Sequence, residues 1–130
     1  MYKKDNHLTK VRDFSLVLKH GFWINSQFLS LKVLELDKNV IYFPKKEDPE
    51  KFKKQLRLAI NIGLKVSKSA VVRNRFKRQI KEVLNNQVKE GKIKTGFYLF
   101  FVAKPNIKEK NFAEIREEVE LLLQRAKVVN

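Results

Sequence analysis

Between Lys51 and Lys81 the chain carries eleven lysines and arginines and no aspartate or glutamate. They are Lys51, Lys53, Lys54, Arg57, Lys65, Lys68, Arg73, Arg75, Lys77, Arg78 and Lys81. Cations at that density do one kind of chemistry well: they hold phosphate oxygens, and the planar guanidinium does so with paired donors. A solvated face normally mixes signs, and here the compensating sign is missing. Asn74 sits among the cations and adds an amide that can bond a base edge or a 2′-hydroxyl. The turn Val66, Ser67, Lys68, Ser69 leads into the same cluster, where open backbone N–H groups would add an anion site.

No other constellation competes. The carboxylates are scattered, and His7 and His20 lie 13 residues apart without ligand-like spacing. There is no cysteine, which removes disulfides, thiolate metal sites and thiol nucleophiles together and fits a reducing compartment. No residue stands out for general acid–base work or for holding a metal.

Composition agrees with a binding role. The 130 residues suit one compact domain spanning 1–130, and an apolar fraction of 43% supports a real core. The net charge is +15 with a pI near 10.1, a self-repulsion whose usual return is attraction to a polyanion. No stretch approaches the ~18 apolar residues of a membrane span. The N-terminal residues lead into no apolar signal core, so the expectation is a cytoplasmic protein.

The elements that must position the cations follow from periodicity. Thr9 to His20 reads as a helix with Thr9 as N-cap, Phe14, Val17 and Leu18 on its apolar face, and Gly21 as its stop. Phe28 to Leu36 reads as a strand with Leu29, Leu31 and Val33 on one side. Residues 37–55 are polar and read as an extended hairpin connection, in which Val40 to Phe43 would continue a strand. Leu56 to Ile62 alternates cleanly, with Leu56, Leu58, Ile60 and Ile62 opposite Arg57, Ala59, Asn61 and Gly63. Ser69 to Lys89 is helical and ends before Gly91. Phe97 to Ala103 is a strand buried on both faces. Asn111 and Glu114 form a capping box for a last helix burying Phe112, Ile115, Val119, Leu122 and Leu123. The order α-β-β-β-α-β-α describes a small α+β sandwich.

On the Ser69 to Lys89 helix, at about 100° per residue, Val72, Phe76, Ile80 and Val83 fall within one stripe about 80° wide. Lys77, Lys81, Asn74, Arg78 and Arg75 spread over the opposite side. Arg73 flanks the stripe, with its stem packed and its guanidinium reaching outward.

The run from Arg57 to Arg78, with Arg73-Asn74-Arg75 followed by Phe76-Lys77-Arg78 on a helix after a strand, resembles the signature of the bacterial ribonuclease P protein family. The resemblance extends to Asp13-Phe14, to Lys19-His20-Gly21, to Gln27-Phe28 and to Ala103-Lys104-Pro105, and so covers nearly the whole chain. Its departures are Leu18 and Leu31 in place of frequent aromatics, Ser67 in place of a frequent glycine, and a longer segment over 37–55. The resemblance implies an α+β sandwich with a left-handed βαβ crossover. It also implies that Arg57, Lys65, Lys68, Arg73, Asn74, Arg75, Lys77, Arg78 and Lys81 face a catalytic RNA subunit. The 5′ leader of precursor tRNA would lie in a cleft holding Phe14 and Phe28, and Mg2+ would be held mainly by the RNA and substrate.

Read from the residues alone, Phe14 and Phe28 are as well placed for a core as for a stacking platform. Trp23, read as part of a loop, fits either role, while Phe97, Phe100 and Phe101 read as core. Without the resemblance, a ribosomal or tRNA-binding protein, a DNA-binding module and a protein-only nuclease stay open.

Overall fold

A computed structural model of the chain describes residues 6–42 and 48–130. The elements are helix α1 (Val11–His20), strands β1 (Phe22–Asn25) and β2 (Leu29–Glu35), a 3-10 segment (Asp37–Tyr42), one helical turn α2 (Pro49–Phe52), strand β3 (Leu56–Asn61), helix α3 (Ala70–Lys89), strand β4 (Phe97–Ala103), a second 3-10 segment (Pro105–Glu109) and helix α4 (Phe112–Arg125). The strands form one sheet in the order β1-β2-β4-β3. β2 runs antiparallel to both β1 and β4, while β3 and β4 are parallel and joined through α3. This is the expected α+β sandwich.

The sheet separates two apolar layers. Strand residues alternate between faces, so Leu29, Leu31, Val33, Leu58, Leu99 and Phe101 point into a larger core with Phe76 and Ile80 of α3 and Ile115 and Leu122 of α4. Leu34 and Tyr98 point the other way, into a smaller core with Leu8, Val17 and Leu36. Central strand β4 is therefore apolar on both sides, which is why 97–103 reads as an unbroken apolar run, while β2 sets Ser30 and Lys32 beside Leu34 on its second face. Helix α4 begins with the anticipated capping box: the Glu114 amide donates to Asn111 Oδ1 at 2.9 Å, and the Asn111 amide returns to Glu114 Oε1 at 3.2 Å. Helix α3 ends as expected, with Gly91 at φ +67°.

Three expectations need correction. Phe22–Asn25, with Trp23, is an edge strand rather than a loop; four residues with three consecutive apolar side chains carry no alternation to read. The anticipated strand over Val40, Ile41 and Tyr42 is instead 3-10 helical, and Phe43 lies outside the described residues. Asn39 causes the turn: its amide N–H reaches the Leu36 carbonyl at 3.1 Å and its side chain donates to the Glu35 carbonyl at 2.6 Å. Helix α1 starts after Lys10, with no side-chain cap from Thr9, and its face is rotated so that Asp13 is buried while Leu18 is 53% exposed.

Gly21 ends α1 for a reason other than a left-handed backbone. A β-carbon there would lie 2.5 Å from the Val17 carbonyl oxygen and 2.9 Å from that of Val33. Gly21→Ala is expected to cost about 1–3 kcal/mol, the usual range for overpacking, seen as a lower urea midpoint. An unchanged midpoint would show that the α1–β2 junction gives way freely.

Candidate nucleic-acid interface

Helix α3 divides its surface as its sequence dictates. Phe76, Ile80, Val83 and Leu84 are buried against the sheet and α4. Asn74, Arg75, Lys77 and Arg78 are exposed and Lys81 is half-buried. Val71, Asn74, Lys77, Arg78 and Lys81 line one shallow groove along this face. Arg75 lays its guanidinium over the Phe76 ring, 4.9 Å from the centroid, which fixes its stem while leaving the residue open to solvent.

Arg73 differs from its expected placement. Its guanidinium turns back and donates to the Ser67 carbonyl at 2.9 Å, so this half-buried arginine braces the turn before α3. One amide of that turn and one of the first turn of α3 are already engaged: Ser69 N–H with Ser67 Oγ at 3.1 Å, and Val72 N–H with the N-cap Ser69 Oγ at 3.4 Å. The anticipated anion site is narrowed accordingly. Lys65 and Lys68 stand exposed on the same turn.

The N-terminal residues join this surface. His7 pairs with Leu58 in a parallel bridge, Leu8 N–H donates to the Leu58 carbonyl at 2.9 Å, and Arg57 reaches the His7 carbonyl at 3.4 Å. Burial, then the charges of Lys81 and Lys77, hold the His7 imidazole pKa below its usual 6.5. Because the folded value is the lower one, the linked stability is present above pH 6.5 and is lost as pH falls through the folded value. In an NMR titration His7 is expected to protonate below pH 6.5, and Lys77→Gln with Lys81→Gln should move the midpoint part of the way back. A midpoint that stays put would remove the lysine contribution.

On the far side of the sheet, α1 leaves part of β4 and β3 open: Phe100, Val102 and Ala59 are half-buried and Asn61 is exposed, while Ser30 and Lys32 of β2 are buried. Phe14 is half-buried and meets Phe100 edge to face, with ring centroids 5.5 Å apart. Phe28, expected beside it, is only 3% exposed and belongs to the larger core, with the Lys110 ammonium 5.6 Å from its ring centroid. The sheet thus lies between the two aromatics, and Phe28 is a core residue. Its position follows from Glu118 of α4, whose carboxylate accepts from Ser26 Oγ at 2.9 Å and from the amides of Gln27 at 3.2 Å and Phe28 at 2.8 Å.

Sequence reasoning missed Glu118 and His7, whose partners are distant in the chain, and the Trp23–Lys32 pair, which depends on the register of the β1–β2 hairpin. Among the described residues no three His, Cys, Asp or Glu side chains gather to hold a metal ion, and no helix is long and apolar enough to cross a membrane.

Fold and charge define a small basic α+β protein whose cations are collected on the helix linking two parallel strands. The chain belongs to the ribonuclease P protein family, whose model, described as Ribonuclease P, matches residues 2–127. The ribonuclease P protein component of a Cyanothece species is 30% identical over 131 residues, covering 100% of this chain and 98% of that protein. That of Nostoc punctiforme is 33% identical over 137 residues, covering 96% and 94%. The ribonuclease P protein of Staphylococcus aureus shares the fold, with a TM-score of 0.74 at 24% identity over 98% of this chain and all of that one.

Proposed function

We propose that this chain is the protein subunit of a bacterial ribonuclease P, binding the catalytic RNA and the 5′ leader of precursor tRNA while the leader is cut away. The observation that carries the reading is the exposed cationic face of α3, free of acidic residues from Ala70 to Lys81 and set opposite the buried stripe. Arg75, Lys77 and Arg78, with Asn74 between them, would lie against RNA phosphates and sugars, supported by Lys65, Lys68 and Lys81. Arg57 and Arg73 contribute mainly by fixing the N-terminal segment and the turn that frame this face. Phe14, on the Phe100 side of the sheet, is the aromatic placed to meet an unpaired leader base; Phe28 is not.

In this reading Mg2+ is held mainly by the RNA subunit and the substrate. The protein's part is to offset phosphate repulsion and orient the leader, so that less magnesium is needed for hydrolysis of the phosphodiester bond. Such a subunit works in the cytoplasm with its RNA.

The test is cleavage of precursor tRNA at low magnesium by a bacterial ribonuclease P RNA, with and without the protein. Rescue by the protein, with no cleavage by the protein alone, is the expected result. RNA binding without rescue would favour a general RNA-binding role, and cleavage by the protein alone would favour a nuclease.

A further inference from the structure

Trp23 is the chain's single tryptophan and stands 45% exposed on edge strand β1. Burying an indole is worth a great deal to a small core, so a tryptophan left on a sheet edge calls for a reason. Its surroundings give one. Trp23 pairs across the sheet with Lys32, and Lys32 pairs with Phe100, which pairs with Ala59. Residues directly opposite one another share a face, so Trp23, Lys32, Phe100 and Ala59 form one row on the side where Phe14 rests against Phe100.

The ring is held in place from below. The Lys32 ammonium sits 5.1 Å from the indole centroid and donates to the Leu18 carbonyl at 2.6 Å, near the C-terminal end of α1. A helix end carries partial negative charge, so this nearly buried lysine is satisfied electrostatically while it steadies the indole. The anchor runs from helix end to ammonium to ring, and a ring fixed before binding loses little freedom when a partner stacks on it.

The strand residues sharing this face include no carboxylate, and their two cations give it positive charge while each is held by a backbone carbonyl, Lys32 by Leu18 and Arg57 by His7; Asn25, Ser30 and Asn61 lie beyond the aromatic row. A flat aromatic, a polar neighbourhood and positive charge together suit an unpaired nucleotide, because every base offers a face to stack and a phosphate to attract. We infer that Trp23 is a base-stacking residue for the single-stranded leader, extending the binding surface from Phe14 and Phe100 across to the β1 edge. The two platforms are separated by two strand spacings, about 10 Å, so a single strand crossing the sheet can touch both. This assignment rests on the leader-binding reading given above and names a second contact within it.

Because Trp23 is the only tryptophan, the holoenzyme reports on it directly. Indole fluorescence is followed while the chain, assembled with a bacterial ribonuclease P RNA, is titrated with precursor tRNA or with leaderless tRNA. Quenching is expected with the leader-bearing RNA and not with the leaderless one. Trp23→Ala is expected to weaken leader-bearing RNA about 5-fold or more while leaving leaderless tRNA unchanged, and Trp23→Phe should restore most of the loss. Equal quenching by both RNAs, or a Trp23→Ala holoenzyme with unaltered leader preference, overturns the assignment of Trp23 alone. A wild-type holoenzyme that shows no leader preference at all overturns the leader reading and this inference with it. The fluorescence arm uses the unaltered chain, so it stands even if a variant folds poorly.

Discussion

Changing Arg75, Lys77 and Arg78 together to glutamine is expected to flatten the salt dependence of RNA binding by roughly 2 to 3 units of log K against log salt, at about 0.7 to 0.9 per phosphate contact. These three are exposed on α3, and none lies in the buried stripe that anchors the helix, so the fold should survive. Arg73 is left out deliberately. Its guanidinium holds the Ser67 carbonyl, and removing it would mix a structural loss with an electrostatic one. Binding measured over a series of salt concentrations, with the melting curve as a control, gives the answer. A slope equal to that of the wild type would place the α3 cations away from the RNA.

Glu118→Ala is expected to cost about 3 kcal/mol of stability. Glu118 is 6% exposed, yet one carboxylate accepts from Ser26 Oγ and from the amides of Gln27 and Phe28. Bonds to a charged acceptor are worth about 1.5–3 kcal/mol, and donors left buried without a partner cost about 1–3 kcal/mol each. Against a total of about 5–15 kcal/mol for a domain, that is a large share. Urea unfolding should show a lower midpoint with an unchanged slope, and Glu118→Gln should fall between the two because its side chain offers one acceptor oxygen instead of two. A loss below about 1 kcal/mol would mean that the β1–β2 turn re-forms its bonds elsewhere or opens to water.

Where a pattern was long enough to have a period, the sequence was readable. Val72, Phe76, Ile80 and Val83 repeat at helical spacing over three turns, so both the stripe of α3 and its cationic reverse could be placed before any coordinates. Asn111 and Glu114 announced the start of α4 through a local reciprocal bond. What escaped reading was set by partners far away. β1 is four residues long and owes its strand geometry to β2. Leu18 has the right spacing for the α1 face but faces solvent, because the sheet under α1 instead receives Val17, with Phe14 beside it. Phe28 went to the larger core because a carboxylate 90 residues later draws its amide toward α4. Arginine count suggested equal roles for Arg73 and Arg75, while only the turn geometry separates a brace from an exposed charge. The pairing of Trp23 with Lys32 across two strands leaves no local trace at all.

The position of β4 has a consequence for synthesis. It is the last strand made, yet it lies between β2 and β3, which have no ladder with each other. A chain growing from its N-terminus can close the β1–β2 hairpin early, but β3 and the cationic helix behind it have no sheet to join until residue 103 has emerged. The interval leaves a half-built sheet with open edges and a segment of eleven uncompensated positive charges on a ribosome made largely of RNA. Sealing that gap is the work of seven residues, Phe97–Ala103, and a chain stopped before them has two fragments of a sheet with no strand laddered to both.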